Sequence, residues 1–209
     1  MTNMTKNIFD LKKQMRLLIR QKRNLLTPLE QRTTAMAIKN IVSQLQFFTE
    51  AVTISGYLAF DGEVDLNPVL ELALSHEKQC YLPVLNQTSP NDKTMSFAPY
   101  VPTTRLHLNK LGITEPFMDT ISSRKLIQPQ NLDVMLIPLI AFDRSGNRLG
   151  IGGGYFDATL KDLRLANKLQ NKPKLIGVAH AFQEVASVPT DVWDVALDGI
   201  LTEDSFIAI

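Results

Sequence analysis

One cysteine, three histidines and one tryptophan in 209 residues leave little room for several kinds of chemistry. Cys80 has no second cysteine with which to form an internal disulfide, and a lone thiol suits a reducing compartment. Its neighbours Gln79 and Tyr81 offer no cation or imidazole to activate it, so it reads as a packed thiol. His76, His107 and His180 stand apart, without the spacing of a zinc site. An excess of one charge is also missing. Lys plus Arg is 22 against 21 Asp plus Glu, a net of +1, so no domain-wide basic field exists to hold a nucleic acid. The longest apolar run, Val134 to Phe142, contains Pro138 and falls far short of the roughly 20 residues of a membrane-spanning helix. The N-terminus lacks the apolar core of a signal peptide. These absences lead us to expect a cytoplasmic protein that engages neither nucleic acid nor membrane.

What is present is an ordinary globular composition, 44% hydrophobic and 21% charged. The length suits one domain over residues 1–209. Residues 10–26 have helical periodicity, with Leu11, Met15, Leu18 and Leu25 on one face and Lys12, Arg16, Arg20 and Arg23 on the other. Thr27-Pro28-Leu29-Glu30 is a capping box that starts a second helix, to about Phe47. Strand-like segments follow at 51–60 and 79–85, with a helix over 67–78 between them. After a weakly patterned stretch (86–131) come the strand 133–142, a helix over 155–170, and strands at 174–181 and 196–202. The rhythm is that of an α/β fold with a mostly parallel sheet flanked by helices on both faces.

The segment with the strongest chemical signal is Arg148-Leu149-Gly150-Ile151-Gly152-Gly153-Gly154-Tyr155-Phe156-Asp157, where four of the ten glycines fall within five positions. It follows the most apolar strand and precedes a helix, the place where an α/β sheet presents a ligand site. Glycines let successive N–H groups approach an anion, and the helix N-terminus adds a favourable dipole. The loop is not a Walker A motif, because Tyr155 stands where Lys would be needed, and it lies too late in the chain for a dinucleotide fingerprint. Arg148 and Asp157 bracket it as a charge clamp and a magnesium ligand would. The acidic run Asp61, Glu63, Asp65 lacks the sixth-position glycine and terminal glutamate of a calcium loop.

The stretch PLIAFDRSGNRLGIGGGYFD (138–157) resembles the signature of the 5-formyltetrahydrofolate cyclo-ligase family, the 5,10-methenyltetrahydrofolate synthetases. Lys12-Lys13-Gln14-Met15-Arg16 is similar to the family's N-terminal Lys-x-x-x-Arg pair, and Phe60-Asp61-Gly62-Glu63-Val64-Asp65 to its glutamate-containing turn. Gly112-Ile113-Thr114-Glu115-Pro116 and the closing segment Val188-Pro189 through Asp194, Asp198, Thr202 and Glu203 extend the resemblance along the chain.

The resemblance implies a cyclo-ligase-like sheet related to those of sugar-phosphate isomerases and CoA-transferases. It also implies an ATP- and magnesium-dependent ligase of one-carbon metabolism. The formyl oxygen of 5-formyltetrahydrofolate would attack the γ-phosphate, and ring closure would release phosphate and leave 5,10-methenyltetrahydrofolate. Its partners would be those two substrates, and the chain would act as a monomer. Lys12, Arg16 and Arg148 would hold the triphosphate, with Lys12 and Arg148 also acting in catalysis. Gly150, Ile151, Gly152, Gly153, Gly154, Tyr155 and Phe156 would form the nucleotide cradle. Leu58, Glu63 and Tyr155 would contact the folate, and Asp157 and Asp198 would bind magnesium. The family commonly has a second tyrosine where Phe156 stands, and bacterial members often have histidine in place of Trp193. A non-catalytic nucleotide- or folate-binding module is the alternative, although all six carried-over charged positions keep their expected type. An unrelated sugar-phosphate or acyl-transfer enzyme would want a glutamate or lysine nucleophile at the loop, which is missing.

Overall fold

Thr27 breaks the first two helices apart. Its Oγ accepts from Glu30 N at 3.3 Å while the Glu30 carboxylate accepts from Thr27 N at 2.7 Å, the expected capping box. In the computed structural model, which describes residues 3–86, 89, 92–121, 123–165 and 173–209, this cap separates α1 (Asn3–Asn24) from α2 (Pro28–Val42). There follow α3 (Gln46–Glu50), β1 (Thr53–Ser55), α4 (Asn67–Ser75), β2 (Gln79–Leu85) and β3 (Met95–Tyr100). A small hairpin of β4 (Leu106–Leu108) and β5 (Thr114–Pro116) precedes β6 (Val134–Pro138). A second hairpin, β7 (Ala141–Phe142) and β8 (Arg148–Leu149), leads through the glycine loop into α5 (Tyr155–Leu165). The chain closes with β9 (Lys174–Val178), β10 (Gly199–Leu201) and β11 (Phe206–Ala208).

Seven strands form one sheet in the order β11-β10-β9-β6-β1-β2-β3, parallel from β10 to β2 and antiparallel at both edges. Strand alternation sends Val134 and Leu136 to a core shared with α2 and α4 residues such as Ile38, Val69 and Leu70. Met135 and Ile137 face a second core with Leu160 and Leu163 of α5. Helices therefore cover both faces, as expected. Among the described residues, no helix is long and apolar enough to cross a membrane.

Several expected elements are shorter than the sequence suggests. The 51–60 segment pairs only over β1, and 133–142 divides at Leu139 and Ile140, where the chain leaves the sheet after Pro138. The helix expected to Phe47 ends at Val42 and resumes as α3, and the last part of the 155–170 helix lies outside the described residues. The largest difference is the orientation of α1. Leu11, Leu18 and Leu25 are 45%, 59% and 82% exposed, whereas Ile19 and Arg23 are 5% and 2% exposed. Met15 does pack inward, against the cluster of Ile19, Ile140, Ala141, Leu149 and Val188. Lys12, Arg16 and Arg23 turn inward while Arg20 stays exposed, because α1 lies over the β7–β8 hairpin and neighbouring loops that present carboxylates and carbonyls.

Candidate active site

The glycine loop begins at the carboxyl end of β6. The β7–β8 hairpin returns the chain there through Ile140 N donating to Leu149 O at 2.7 Å. Gly152 has φ +112°, a conformation that L side chains rarely adopt, and a Cβ at Gly150 or Gly154 would meet nothing within 4 Å. The loop thus presents open backbone at the N-terminus of an eleven-residue helix. Ile151 is 49% exposed on it, and Tyr155 is half-buried beside Gly153. Phe156 packs against the core beneath α5, where a ring without a hydroxyl is suited.

Charges converge on this loop from three segments. The Arg16 Nε donates to Gly150 O at 2.9 Å, and Arg16 lies against the open face of Gly152. Arg148 is 9% exposed, with Nη2 2.5 Å from Asp157 Oδ1 and Nη1 donating to the Val195 carbonyl. Burial lowers the Arg148 pKa, opposed by Asp157 and Asp194, and the guanidinium remains a cation. Lys12 Nζ lies 2.8 Å from Asp191 Oδ2 and 3.6 Å from Asp194 Oδ2. Lys12, Asp194, Arg148 and Asp157 therefore form a chain of alternating charge beside the loop. Burial also lowers the Arg16 pKa.

Asp198 does not join them. It is exposed immediately before β10, and its Oδ2 accepts from Leu175 N at 2.8 Å while its own N–H donates to Leu175 O. Leu175 is at the start of β9, so Asp198 caps the amino-terminal edge of two parallel strands, away from the loop. Asp198, expected as a magnesium ligand, is thus placed at this strand edge and not beside Arg148. Asp194, four residues earlier, is the carboxylate beside Lys12 and Arg148. Trp193, next to it, is 62% exposed.

A magnesium ion bridging substrate phosphates needs one or two protein carboxylates, with water and phosphate oxygens as its other ligands. Asp157 and Asp194 have side chains 32% and 21% exposed, hard oxygen donors that both act on Arg148. This donor set fits such an ion. Among the described residues no cluster of three or more His, Cys, Asp or Glu could hold a metal unaided.

The second half of the site is the turn after β1. Asp61 and Gly62 have φ +53° and +72°, and Glu63 N donates to Phe60 O at 3.1 Å, the geometry of a tight Asp-Gly turn. The Glu63 carboxylate accepts from Phe60 N at 3.0 Å. Burial pushes its pKa up to about 7, against lowering by the Phe60 N–H and Arg23. Leu58 is half-buried and packs against the core beneath α2 and α4. Behind the turn, Arg23 Nη2 lies 2.9 Å and Arg20 Nε 2.6 Å from Asp61 Oδ2, while His180 Nε2 and Gln31 Nε2 each lie 3.2 Å from Gly62 O. Arg16 and Arg23 are about 10 Å apart along α1, so one helix touches both halves.

The model of the 5-formyltetrahydrofolate cyclo-ligase family matches residues 9–203. The chain is 36% identical over 185 residues to the 5-formyltetrahydrofolate cyclo-ligase of Escherichia coli strain K12, covering 88% of this chain and 96% of that protein. It is 34% identical over 191 residues to the enzyme of that name from Haemophilus influenzae, covering 91% and 96%. The NMR structure of Aquifex aeolicus 5,10-methenyltetrahydrofolate synthetase superposes with a TM-score of 0.74 at 29% identity, covering 95% of this chain and 92% of that one.

Proposed function

The chain belongs to the 5-formyltetrahydrofolate cyclo-ligase family, and from that premise we propose which of its residues carry the reaction. It is a cyclo-ligase that converts 5-formyltetrahydrofolate to 5,10-methenyltetrahydrofolate with ATP, releasing ADP and phosphate. The observation that supports this assignment of residues best is the meeting of Arg16 and Arg148 at one open glycine loop, with Lys12 linked to Arg148 through Asp194.

Lys12 and Arg16 neutralise the triphosphate, Lys12 exchanging Asp191 for phosphate oxygens. The N–H groups of residues 150–155 cradle it, and the start of α5 adds its dipole. Arg148, held by Asp157 and the Val195 carbonyl, is fixed in place and supplies a positive field at the transferring phosphoryl group. Asp157 and Asp194 would hold magnesium, which when bound would supply positive charge against the phosphate oxygens. Glu63 accepts hydrogen bonds from the amide and amine donors of the pterin, with Leu58 in the apolar wall and Tyr155 between the two substrates.

The reaction suits this equipment. The formyl oxygen forms a bond to the γ-phosphorus as the bond to ADP breaks. The second folate nitrogen then attacks the activated carbon and loses its proton, and phosphate departs with the former formyl oxygen. No protein nucleophile is required, and phosphoryl transfer depends chiefly on positioning and charge neutralisation. Incubation with 5-formyltetrahydrofolate, with and without MgATP, tests the reading through the ultraviolet absorbance of the methenyl product. Product confined to the samples with MgATP is expected, and ATP-independent product or none would overturn it.

A further inference from the structure

The inward stripe of α1 reaches beyond the nucleotide loop. Lys12 meets the closing segment, Arg16 the glycine loop, Ile19 the β7–β8 hairpin, and Arg23 the turn that carries Glu63. Arg23 is 2% exposed, and among the described residues it has a single carboxylate, Asp61, within ion-pair distance and no hydrogen-bond partner for its Nε and Nη1. A buried guanidinium is costly to keep, and an apolar side chain of similar size would often be as stable there. Its contacts are specific to the turn. Asp61 occupies the first left-handed position, and a Cβ on Gly62 would come within 3.0 Å of Arg23 Cβ.

We propose that Arg23 and Asp61 form a positioning pair that fixes the Glu63 turn against α1, and so holds the folate contact in register with the triphosphate contacts Lys12 and Arg16 on the same helix. The pair touches neither substrate and acts through Glu63. This rests on the reading that Glu63 meets the folate. The groups acting on Glu63 are Arg23 from α1, Asp61 on the turn and the Phe60 N–H, with Tyr57 and Asp65 flanking it and His180 bonded to Gly62 behind. Arg23 lowers the proton affinity of Glu63, and Asp61 raises it.

Steady-state kinetics of Arg23→Gln, Arg23→Lys, Asp61→Asn and Glu63→Gln test the proposal. Arg23→Gln and Asp61→Asn are expected to raise the KM for 5-formyltetrahydrofolate about tenfold, the penalty of a displaced contact, with the KM for ATP within about twofold. Arg23→Lys recovers part of the loss. The acid limb of kcat/KM for the folate moves to higher pH in Arg23→Gln and to lower pH in Asp61→Asn, a divergence that general loosening of the fold does not produce. Asn tolerates the left-handed conformation, so Asp61→Asn carries the test if Arg23→Gln fails to fold. Equal increases in both KM values, an unchanged folate KM, or limbs that move together would overturn the pair's role. If those results coincide with a raised folate KM in Glu63→Gln, the Glu63 reading survives alone. An unchanged folate KM in Glu63→Gln overturns that reading and the proposal with it.

Discussion

Arg148 Nη2 stands 2.5 Å from Asp157 Oδ1, and the whole glycine loop lies in the sequence between them. The pair staples the entry of the loop to the first turn of α5. Asp157→Asn keeps a hydrogen-bond acceptor for Arg148 but loses the charge. Because Asp157 is about a third exposed, the stability loss is about 1–2 kcal/mol. Turnover is expected to fall by about two orders of magnitude or more, as for loss of a group that stabilises transition-state charge. Circular dichroism and kcat at saturating magnesium check both parts, and wild-type turnover would remove the assigned role.

On the proposed reading, Asp194 serves the metal site and Asp198, four residues on, serves the strand edge. Asp194→Asn is expected to raise the magnesium concentration required for half-maximal turnover. Asp198→Asn removes a charged acceptor from Leu175 N at an exposed strand edge and should cost about 1 kcal/mol while leaving kcat within about twofold. Magnesium titrations and thermal melts of the two variants check this. The reverse pattern would reinstate Asp198.

On the proposed reading, Glu63 links folate recognition to pH. Its pKa rises from an ordinary 4.5 to about 7 because burial penalises the carboxylate. Between those values the folded chain keeps a proton that the unfolded chain has released, so stability falls as pH rises from about 4.5 to about 7 and the loss persists above. Glu63→Gln removes that loss. The variant should melt at a higher temperature than the wild type at pH 8 and close to it at pH 4.5, while binding the folate more weakly. Parallel Tm curves across this range would contradict the buried carboxylate.

The reversed face of α1 predicts unequal sensitivity of adjacent positions. Ile19→Ala opens a cavity among Ile140, Leu149 and Val188 and should cost about 2–4 kcal/mol. Leu18→Gln, at a 59% exposed position, should change stability by no more than about 0.5 kcal/mol. Urea denaturation of the two variants distinguishes them, and similar losses would place Leu18 inside.

Much of the fold is legible where local signals and packing agree. β2 has the bounds that its apolar pattern and flanking turns suggest, and the capping box starts α2. The glycine loop announces itself by glycine density after a strongly apolar strand. The orientation of α1 does not, because its leucine spacing points to a broad apolar partner surface, whereas the surface beneath it mixes a small apolar patch on the β7–β8 hairpin with carboxylates and carbonyls of nearby loops. Asp194 and Asp198 look alike in sequence. What distinguishes them is contact with residues far along the chain, Lys12 and Arg148 for one and Leu175 for the other. The Arg23–Asp61 pair is hidden for the same reason, since a basic residue late in an amphipathic helix ordinarily faces water.

Methenyl product and inorganic phosphate measured in the same samples, with 5-formyltetrahydrofolate, ATP and magnesium each omitted in turn, show whether phosphoryl transfer drives the ring closure. Equal amounts of product and phosphate are expected in the complete mixture, and neither when any component is absent. Phosphate released without the folate, or product formed without phosphate, would contradict ring closure driven by phosphoryl transfer at this loop.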